Sequence, residues 1–155
     1  MMMRSAIIIA IVSLLVAAFG CSGPPDSVVK DYMGNLLRLN YPGVLANCTG
    51  QAYDLAKSTA ATSVGRMDYS YGLYSKLPDM ESGLGYAIVE SAPRESVVTV
   101  SAGGEEVAKF LLVRVNGGWK ISDGPHPTVI ISRLIEIIKA RTRSMTAEER
   151  SNQVI

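Results

Sequence analysis

The sequence is poor in cysteine and histidine and carries almost no net charge. Its 155 residues include two cysteines and one histidine, and the formal net charge is +1. Two cysteines cannot form the disulfide framework of a small secreted scaffold, and one histidine cannot form a histidine-rich metal site. A net charge near zero is unlike that of a strongly basic nucleic-acid-binding protein. We therefore expect neither a bound metal nor a nucleic-acid partner.

Glycine and proline are also too sparse for a low-complexity chain. There are 14 glycines and seven prolines, and 48% of the residues are hydrophobic, which is more than a disordered chain contains. The length suits one domain and excludes a large multidomain enzyme. The chain contains no phosphate-binding glycine loop, nucleophile elbow or cluster of metal ligands, so we expect no cofactor.

The N-terminus has the pattern of an exported protein. Arg4 precedes an apolar run from Ala6 to Phe19 that only Ser13 interrupts. This run is shorter than the roughly 20 apolar residues of a membrane-spanning helix. It has the length of the apolar region of a signal peptide. We assign residues 1–20 to a signal peptide, and an uncleaved membrane anchor is the alternative.

The end of this run, Ala18-Phe19-Gly20-Cys21, resembles the lipobox of bacterial lipoproteins. The resemblance implies that the Cys21 sulfur receives a diacylglyceryl group, that cleavage makes Cys21 the first residue, and that two or three acyl chains hold the protein. Ser22, where inner-membrane lipoproteins usually have aspartate, favours the outer membrane. We expect anchoring to membrane lipid through Cys21, on the periplasmic side of the outer membrane or at the cell surface. Residues 21–25 would form a short tether.

Helices are predicted in the first part of the remaining chain. Apolar residues recur at helical spacing from Val28 to Leu37 and predict a helix over residues 26–39. Shorter helices are predicted over about 42–47 and 51–60. Residues 62–83 mix serine, glycine, aspartate and tyrosine, and we interpret them as a loop with one short element.

Strands follow the loop. The closing hairpin is indicated by residues 116–117, Asn-Gly, because both positions of such a turn need positive φ angles. This turn places Arg114 opposite Trp119 and Leu112 opposite Ile121, allowing a cation–π contact and an apolar contact. The predicted strands are residues 84–91, 95–102, 107–115 and 119–122.

Side-chain alternation along these strands predicts a sheet with two apolar faces. We expect a cover on each face, because an antiparallel sheet with one wet face alternates apolar and polar residues. The N-terminal helices can supply one cover. A C-terminal helix, within residues 124–143, could supply the other or could leave the domain to bind a membrane or another protein. Residues 144–155 would form a short frayed helix and a polar tail. One predicted face carries Val97, Thr99, Phe110, Leu112, Trp119 and Ile121, and the other carries Val98, Val100, Ala102, Leu111, Val113 and Val115.

The order of these elements, with the closing pair that ends in Gly-Trp-Lys-Ile at residues 118–121, resembles the nuclear-transport-factor-2-like superfamily. The resemblance extends to small bacterial lipoproteins of that fold. It implies an α+β domain over residues 26–123, in which N-terminal helices pack on a curved antiparallel sheet to make a cone. The C-terminal helix is an addition, since the superfamily usually stops soon after its last strand.

Enzymes of this superfamily, such as ketosteroid isomerase and related dehydratases, use a buried aspartate or histidine in the cone cavity. His126 lies in a proline-rich loop after the last predicted strand. Asp68, beside Tyr69, is the carboxylate placed nearest to possible cavity aromatics. We name no catalytic residue on this evidence.

Tyrosine is the most suggestive residue type in the chain. A tyrosine ring has an apolar body and a polar tip, which suits a wet pocket or an interface, although packing in the core is the alternative. The candidates for a pocket or interface are Tyr53, Asp68, Tyr69, Tyr71, Tyr74, Tyr86 and Trp119.

The sequence therefore predicts an envelope lipoprotein with a non-catalytic binding or scaffolding role, with a protein partner or a second copy of the chain. A small-molecule-binding or enzymatic domain of isomerase or dehydratase type is the alternative. The basic residues between Arg133 and Arg143 are interpreted as a solvated helix edge or as a contact with anionic lipid headgroups.

Overall fold

Helices come first and a sheet afterwards in residues 23–63 and 72–152, which are the residues that a computed structural model of the chain describes. In these ranges the fold is α+β, as predicted, with an antiparallel sheet of order β1-β2-β3-β4. The helices are α1 Pro25–Leu37, α2 Tyr41–Ala46, α3 Gly50–Ser63 and α4 Pro127–Asn152, the 3₁₀ helices are Gly72–Lys76 and Pro78–Gly83, and the strands are β1 Leu84–Ser91, β2 Glu95–Ala102, β3 Glu105–Val115 and β4 Gly118–Asp123.

The first helix begins where its proline can be tolerated. Pro25 occupies the first turn, where a backbone N–H has no partner within the helix. The carbonyl of Pro24 accepts hydrogen bonds from both the backbone N–H and the hydroxyl of Ser27. Val29, Tyr32, Met33, Leu36 and Leu37 are buried on one side of this helix. Their spacing is the helical pattern that the sequence predicts.

The closing hairpin has the predicted register. Arg114 pairs with Trp119 and Leu112 pairs with Ile121. Asn116 and Gly117 form the turn with φ angles of 51° and 83°. Both angles lie in the left-handed region, which asparagine and glycine adopt most readily, so the local sequence accounts for this turn.

The predicted division of the strands into two faces is wrong for β2 and β3. Val98 pairs with Phe110, so these two side chains share a face. A regular hairpin about the turn at residues 103–104 would have paired Val97 with Phe110 instead. The register shifts between Val100 and Ser101, and Val107 is the extra residue on β3. One extra residue turns every later side chain on that strand to the opposite face relative to its neighbour.

One face of the sheet is consequently buried and the other is not. Residues of β2 alternate between buried and half-buried or exposed along the whole strand. On the outer face, Leu111 and Val115 remain 37% and 38% exposed. Neither side chain belongs to the hydrophobic core that the described residues form.

The last helix joins the side of the sheet that is already buried. α4 contacts β3, α3 and the first 3₁₀ helix, and Ile130 and Leu134 are fully buried in the common core. It also extends to Asn152, through most of the segment for which a short frayed helix and a polar tail are predicted. The helix therefore folds back onto the sheet as predicted, but the expectation that it covers the second face is wrong, because it packs on the same face as α1.

The segment before the sheet contains more regular structure than expected. Two 3₁₀ helices, not one short element, occupy residues 72–76 and 78–83. Leu77 between them is fully buried and Met80 is 6% exposed. These apolar anchors hold the segment against the core and position the start of β1.

Candidate functional site

The predicted pocket residues that the structure describes lie on separate elements. Cys21, Asp68, Tyr69 and Tyr71 lie outside the described residues. The other four lie on four different elements: Tyr53 on α3, Tyr74 on the first 3₁₀ helix, Tyr86 on β1 and Trp119 on β4. Tyr53 is 38% exposed and Trp119 is 6% exposed, so their environments differ as well.

Tyr86 lines a cleft of about 580 Å³ between α1, the second 3₁₀ helix and β1. Its hydroxyl oxygen is buried and has no hydrogen-bond partner. Burial, with a smaller contribution from the charge of Glu81, raises the pKa of Tyr86 to about 12. Lys30 and Asp79 also line the cleft. The tyrosine therefore remains a neutral phenol whose hydroxyl could bond to a polar ligand group.

Trp119 belongs to the core. Its ring lies under the guanidinium of Arg114, whose central carbon is 4.8 Å from the ring centroid. This is the contact that the hairpin register predicts. It explains the conformation of Trp119 without a ligand.

His126 caps the N-terminus of α4. Its Nδ1 accepts a hydrogen bond from the backbone N–H of Thr128 at 3.3 Å, and its carbonyl accepts bonds from Val129 and Ile130. Its Nε2 lies 3.5 Å from the hydroxyl oxygen of Thr59, a residue of α3 that is 1% exposed. The first N–H groups of a helix lack acceptors within the helix. His126 supplies acceptors for three of these groups.

Cys48 is a buried side chain. It is 7% exposed, and its thiol donates to the carbonyl of Val44 at 3.3 Å. Burial raises the pKa of this thiol to about 11, although nearby Lys120 acts in the opposite direction. Such a thiol is a poor nucleophile, because the thiolate is the reactive form.

The space between the helices and the sheet is filled. Phe110 and Leu112 from β3 and Met33 and Leu36 from α1 are at most 1% exposed. The rings of Tyr32 and Phe110 pack edge to face, with centroids 5.2 Å apart. Close packing of this kind leaves no room for a substrate between α1 and the sheet.

A groove of about 740 Å³ lies elsewhere, between α4 and the β2–β3 turn. Arginines line it from the helix, and Glu105 and Glu106 line it from the hairpin. The sequence alone predicts a solvated helix edge or a contact with anionic lipid headgroups for these arginines. No local signal connects the two, because only the folding of α4 back onto β3 brings them together.

Within residues 23–63 and 72–152, no group of three or more histidine, cysteine or acidic side chains is arranged to hold a metal ion. None of the helices in that part of the chain is both long enough and apolar enough to cross a membrane. No protein-family model, curated protein or solved structure matches the chain.

Proposed function

We propose that this chain is a lipid-anchored envelope protein whose domain has a non-catalytic binding or scaffolding role. The filled interior is the observation that carries the proposal. Apolar side chains from the sheet and from α1, including Phe110 and Met33, occupy the space in which an enzyme of cone shape would hold its acid or base. Leu134 of α4 is fully buried in the same core. The chain would act through its surface, towards a protein partner or a second copy of itself.

The nuclear-transport-factor-2-like cone is part of this proposal. Helices before a four-stranded antiparallel sheet support it, as does a last strand that carries Trp119 into the core. The added helix α4 would then close the side on which members of that superfamily keep a cavity.

The length of the tether supports the anchoring step. α1 begins at Pro25, four residues after Cys21. Four extended residues span at most about 14 Å. A lipid on Cys21 would therefore hold the folded domain directly against the headgroups of the bilayer.

The two cysteines allow a controlled test of the anchor. Metabolic labelling with a palmitate analogue should mark the wild-type chain and the Cys48→Ala variant, and should not mark Cys21→Ala. The Cys48→Ala variant controls for loss of a sulfur atom elsewhere in the chain. Equal labelling of Cys21→Ala and wild type would reject lipidation at Cys21.

A small-molecule-binding domain is the second candidate, and the buried, unpartnered hydroxyl of Tyr86 is the observation that favours it. NMR methyl signals can distinguish the two functions when phenol is titrated into the full chain as a small aromatic probe. Binding beside Tyr86 predicts shifts of the methyl signals of Leu84, which lines the same cleft, and such shifts would favour the second candidate. Unchanged signals for Leu84 and for the core residues Leu112 and Leu134 would favour the non-catalytic role.

A further inference from the structure

The outer edge of β1 is a free edge of the sheet. β1 is the first strand in the order β1-β2-β3-β4, so its backbone pairs with β2 on one side only. Among the described residues, no other element shares a backbone hydrogen bond with residues 85–88. An edge strand of this kind turns a row of N–H and C=O groups away from its sheet. These groups can bond to one more extended strand.

The opposite edge of the sheet, on β4, is already covered at its middle. The chain between α2 and α3 runs beside it: the N–H of Ile121 donates to the carbonyl of Asn47 at 2.9 Å. The N–H of Thr49 donates to the carbonyl of Ile121 at 2.8 Å, and the ammonium of Lys120 donates to the carbonyl of Ala46. The described part of each chain therefore offers one open strand edge, and a pair of copies joined through it would form a closed assembly.

The regular part of β1 lacks the features that keep strand edges apart in monomeric proteins. Residues 84–88 pair with β2 without a break, and their sequence, Leu-Gly-Tyr-Ala-Ile, contains no charged residue and no proline. Edge strands of monomers usually carry lysine, proline or a bulge. The bulge of β1 at Val89 and its one charged residue, Glu90, come only after this stretch. The stretch is therefore open to a further strand on its free side.

Ile88 lies on the buried face of the sheet, yet it is 43% exposed. It pairs with Val98, a fully buried core residue, and side chains directly opposite each other on neighbouring strands share a face. Ile88 nevertheless lies outside the hydrophobic core that the described residues form. This apolar side chain therefore lacks a cover at the edge of the sheet.

The cleft beside Tyr86 lies on the same face of β1, towards the start of the strand. Tyr86 and Leu84 line this cleft, and they pair with Val100 and Ala102, which are buried. β1 therefore carries an exposed apolar side chain near one end and an open cleft near the other. Antiparallel pairing of two identical strands reverses one of them, so each feature of one copy would meet the other feature of its partner.

We propose that two copies of this chain join through β1, paired antiparallel about a two-fold axis at Ala87, to form one eight-stranded sheet. This register places Ile88 of each copy opposite Tyr86 of the other, at the mouth of its cleft. The two Glu90 carboxylates lie at opposite ends of the paired strands, so they do not repel each other across the axis. The inference rests on the proposed binding role and deepens it, because it names a second copy as the partner and β1 as the surface.

Cysteine crosslinking tests the pairing in the full chain, solubilised in a non-ionic detergent and carrying Cys48→Ala as background. Ala87→Cys and Thr99→Cys are compared after oxidation with copper phenanthroline. In the proposed dimer the two Cβ atoms at position 87 lie about 5 Å apart, close to their separation in a disulfide. Thr99 pairs with Ala87 on the next strand inwards and shares its face, so it is the matched control.

A covalent dimer is expected for Ala87→Cys and not for Thr99→Cys. Equal crosslinking of both variants would indicate that sheet faces pack on each other, and it would overturn the proposal. The absence of a covalent dimer for Ala87→Cys would overturn it as well. Crosslinking of the background chain itself has a different meaning, because it would show a free thiol at Cys21 and would reject the lipid anchor. The same comparison in a chain with Cys21→Ala then decides the dimer.

Sedimentation velocity in the same detergent tests the apolar contact. Ile88→Lys should raise the dissociation constant of the dimer about tenfold or more, because lysine on a strand edge opposes pairing. Val129→Lys on α4 is the matched control, since Val129 has the same 43% exposure, and it should leave the dimer unchanged. Circular dichroism checks that both variants fold. A monomeric wild-type chain, or a dimer that Ile88→Lys leaves intact, would overturn the proposal.

Discussion

The guanidinium carbon of Arg114 lies 4.8 Å from the centre of the Trp119 ring, across the hairpin of β3 and β4. The backbone N–H of Arg114 also donates to the carbonyl of Arg94 at 3.0 Å, so the arginine is fixed by the turn between β1 and β2 as well. This arrangement covers an aromatic core residue with an exposed cation at the end of the sheet that carries the β1–β2 turn.

Truncation of Trp119 should cost far more stability than truncation of Arg114. Trp119 is 6% exposed. Trp119→Ala should therefore lower the free energy of unfolding by about 3–5 kcal/mol, as is usual for a buried aromatic residue. Arg114→Ala should cost only about 0.5–1 kcal/mol, the value of an exposed cation–π contact. Urea unfolding of both variants measures the difference, and equal losses would show that Trp119 does not serve as a core residue.

The apolar side of α4 should contribute to stability while its exposed side does not. Leu134 is fully buried, whereas Val129 on the same helix is 43% exposed. Leu134→Ala should cost about 2–5 kcal/mol, and Val129→Ala should stay within about 0.5 kcal/mol of wild type. A chain that ends at Gly124 should lose solubility, because its core would be uncovered. A truncated chain as stable as the full domain would mean that α4 is not a cover.

The thiol of Cys48 should react slowly in the folded chain. Burial raises its pKa to about 11, so only about one molecule in a thousand carries the thiolate at pH 8. Alkylation by iodoacetamide at pH 8 should accelerate strongly once urea unfolds the chain. Cys21→Ala is the matched control for the second cysteine. Rapid modification without urea would place Cys48 at the surface.

Alkaline pH should destabilise the chain partly through Tyr86. Its pKa is raised by burial to about 12, so between the ordinary value near 10 and 12 the unfolded chain loses a proton that the folded chain keeps. Stability must therefore fall as pH rises above about 10. Tyr86→Phe should reduce this fall and should cost little at pH 7, because the hydroxyl it removes is buried without a partner. Tyr53→Phe, at a more exposed ring, is the control in urea unfolding at pH 7, 10 and 11. An unchanged pH dependence in Tyr86→Phe would contradict the assignment.

Local chemistry made much of the fold predictable. The strands at residues 84–91 and 95–102 have the predicted bounds, and the Asn-Gly turn specified the Arg114–Trp119 register. Both depend on neighbouring residues: β-branched runs prefer extended backbone, and a two-residue turn sets the pairing of the strands that it joins. The buried face of α1 was predictable for the same reason, because the apolar spacing that defines this face lies within one helix.

The candidate site was not predictable in this way. Of the tyrosines and acids chosen from the sequence, those that the structure describes are spread over separate elements. The groove joins residues near 105 to residues near 141, and no local pattern relates them. Nothing in the sequence around Glu105 and Glu106 indicates that the last helix lies beside them.

The sequence by itself determined the order of helices and strands and the closing hairpin, because each follows from spacing or turn chemistry over a few residues. Only the tertiary structure decided which sheet face is buried and where α4 packs. The extra residue at Val107 reverses the side chains of β3 relative to β2, and an insertion of that kind has no periodic signal. α4 packs against the part of the buried sheet face and its neighbouring helices that α1 leaves uncovered. Where that part lies depends on how the whole core is assembled.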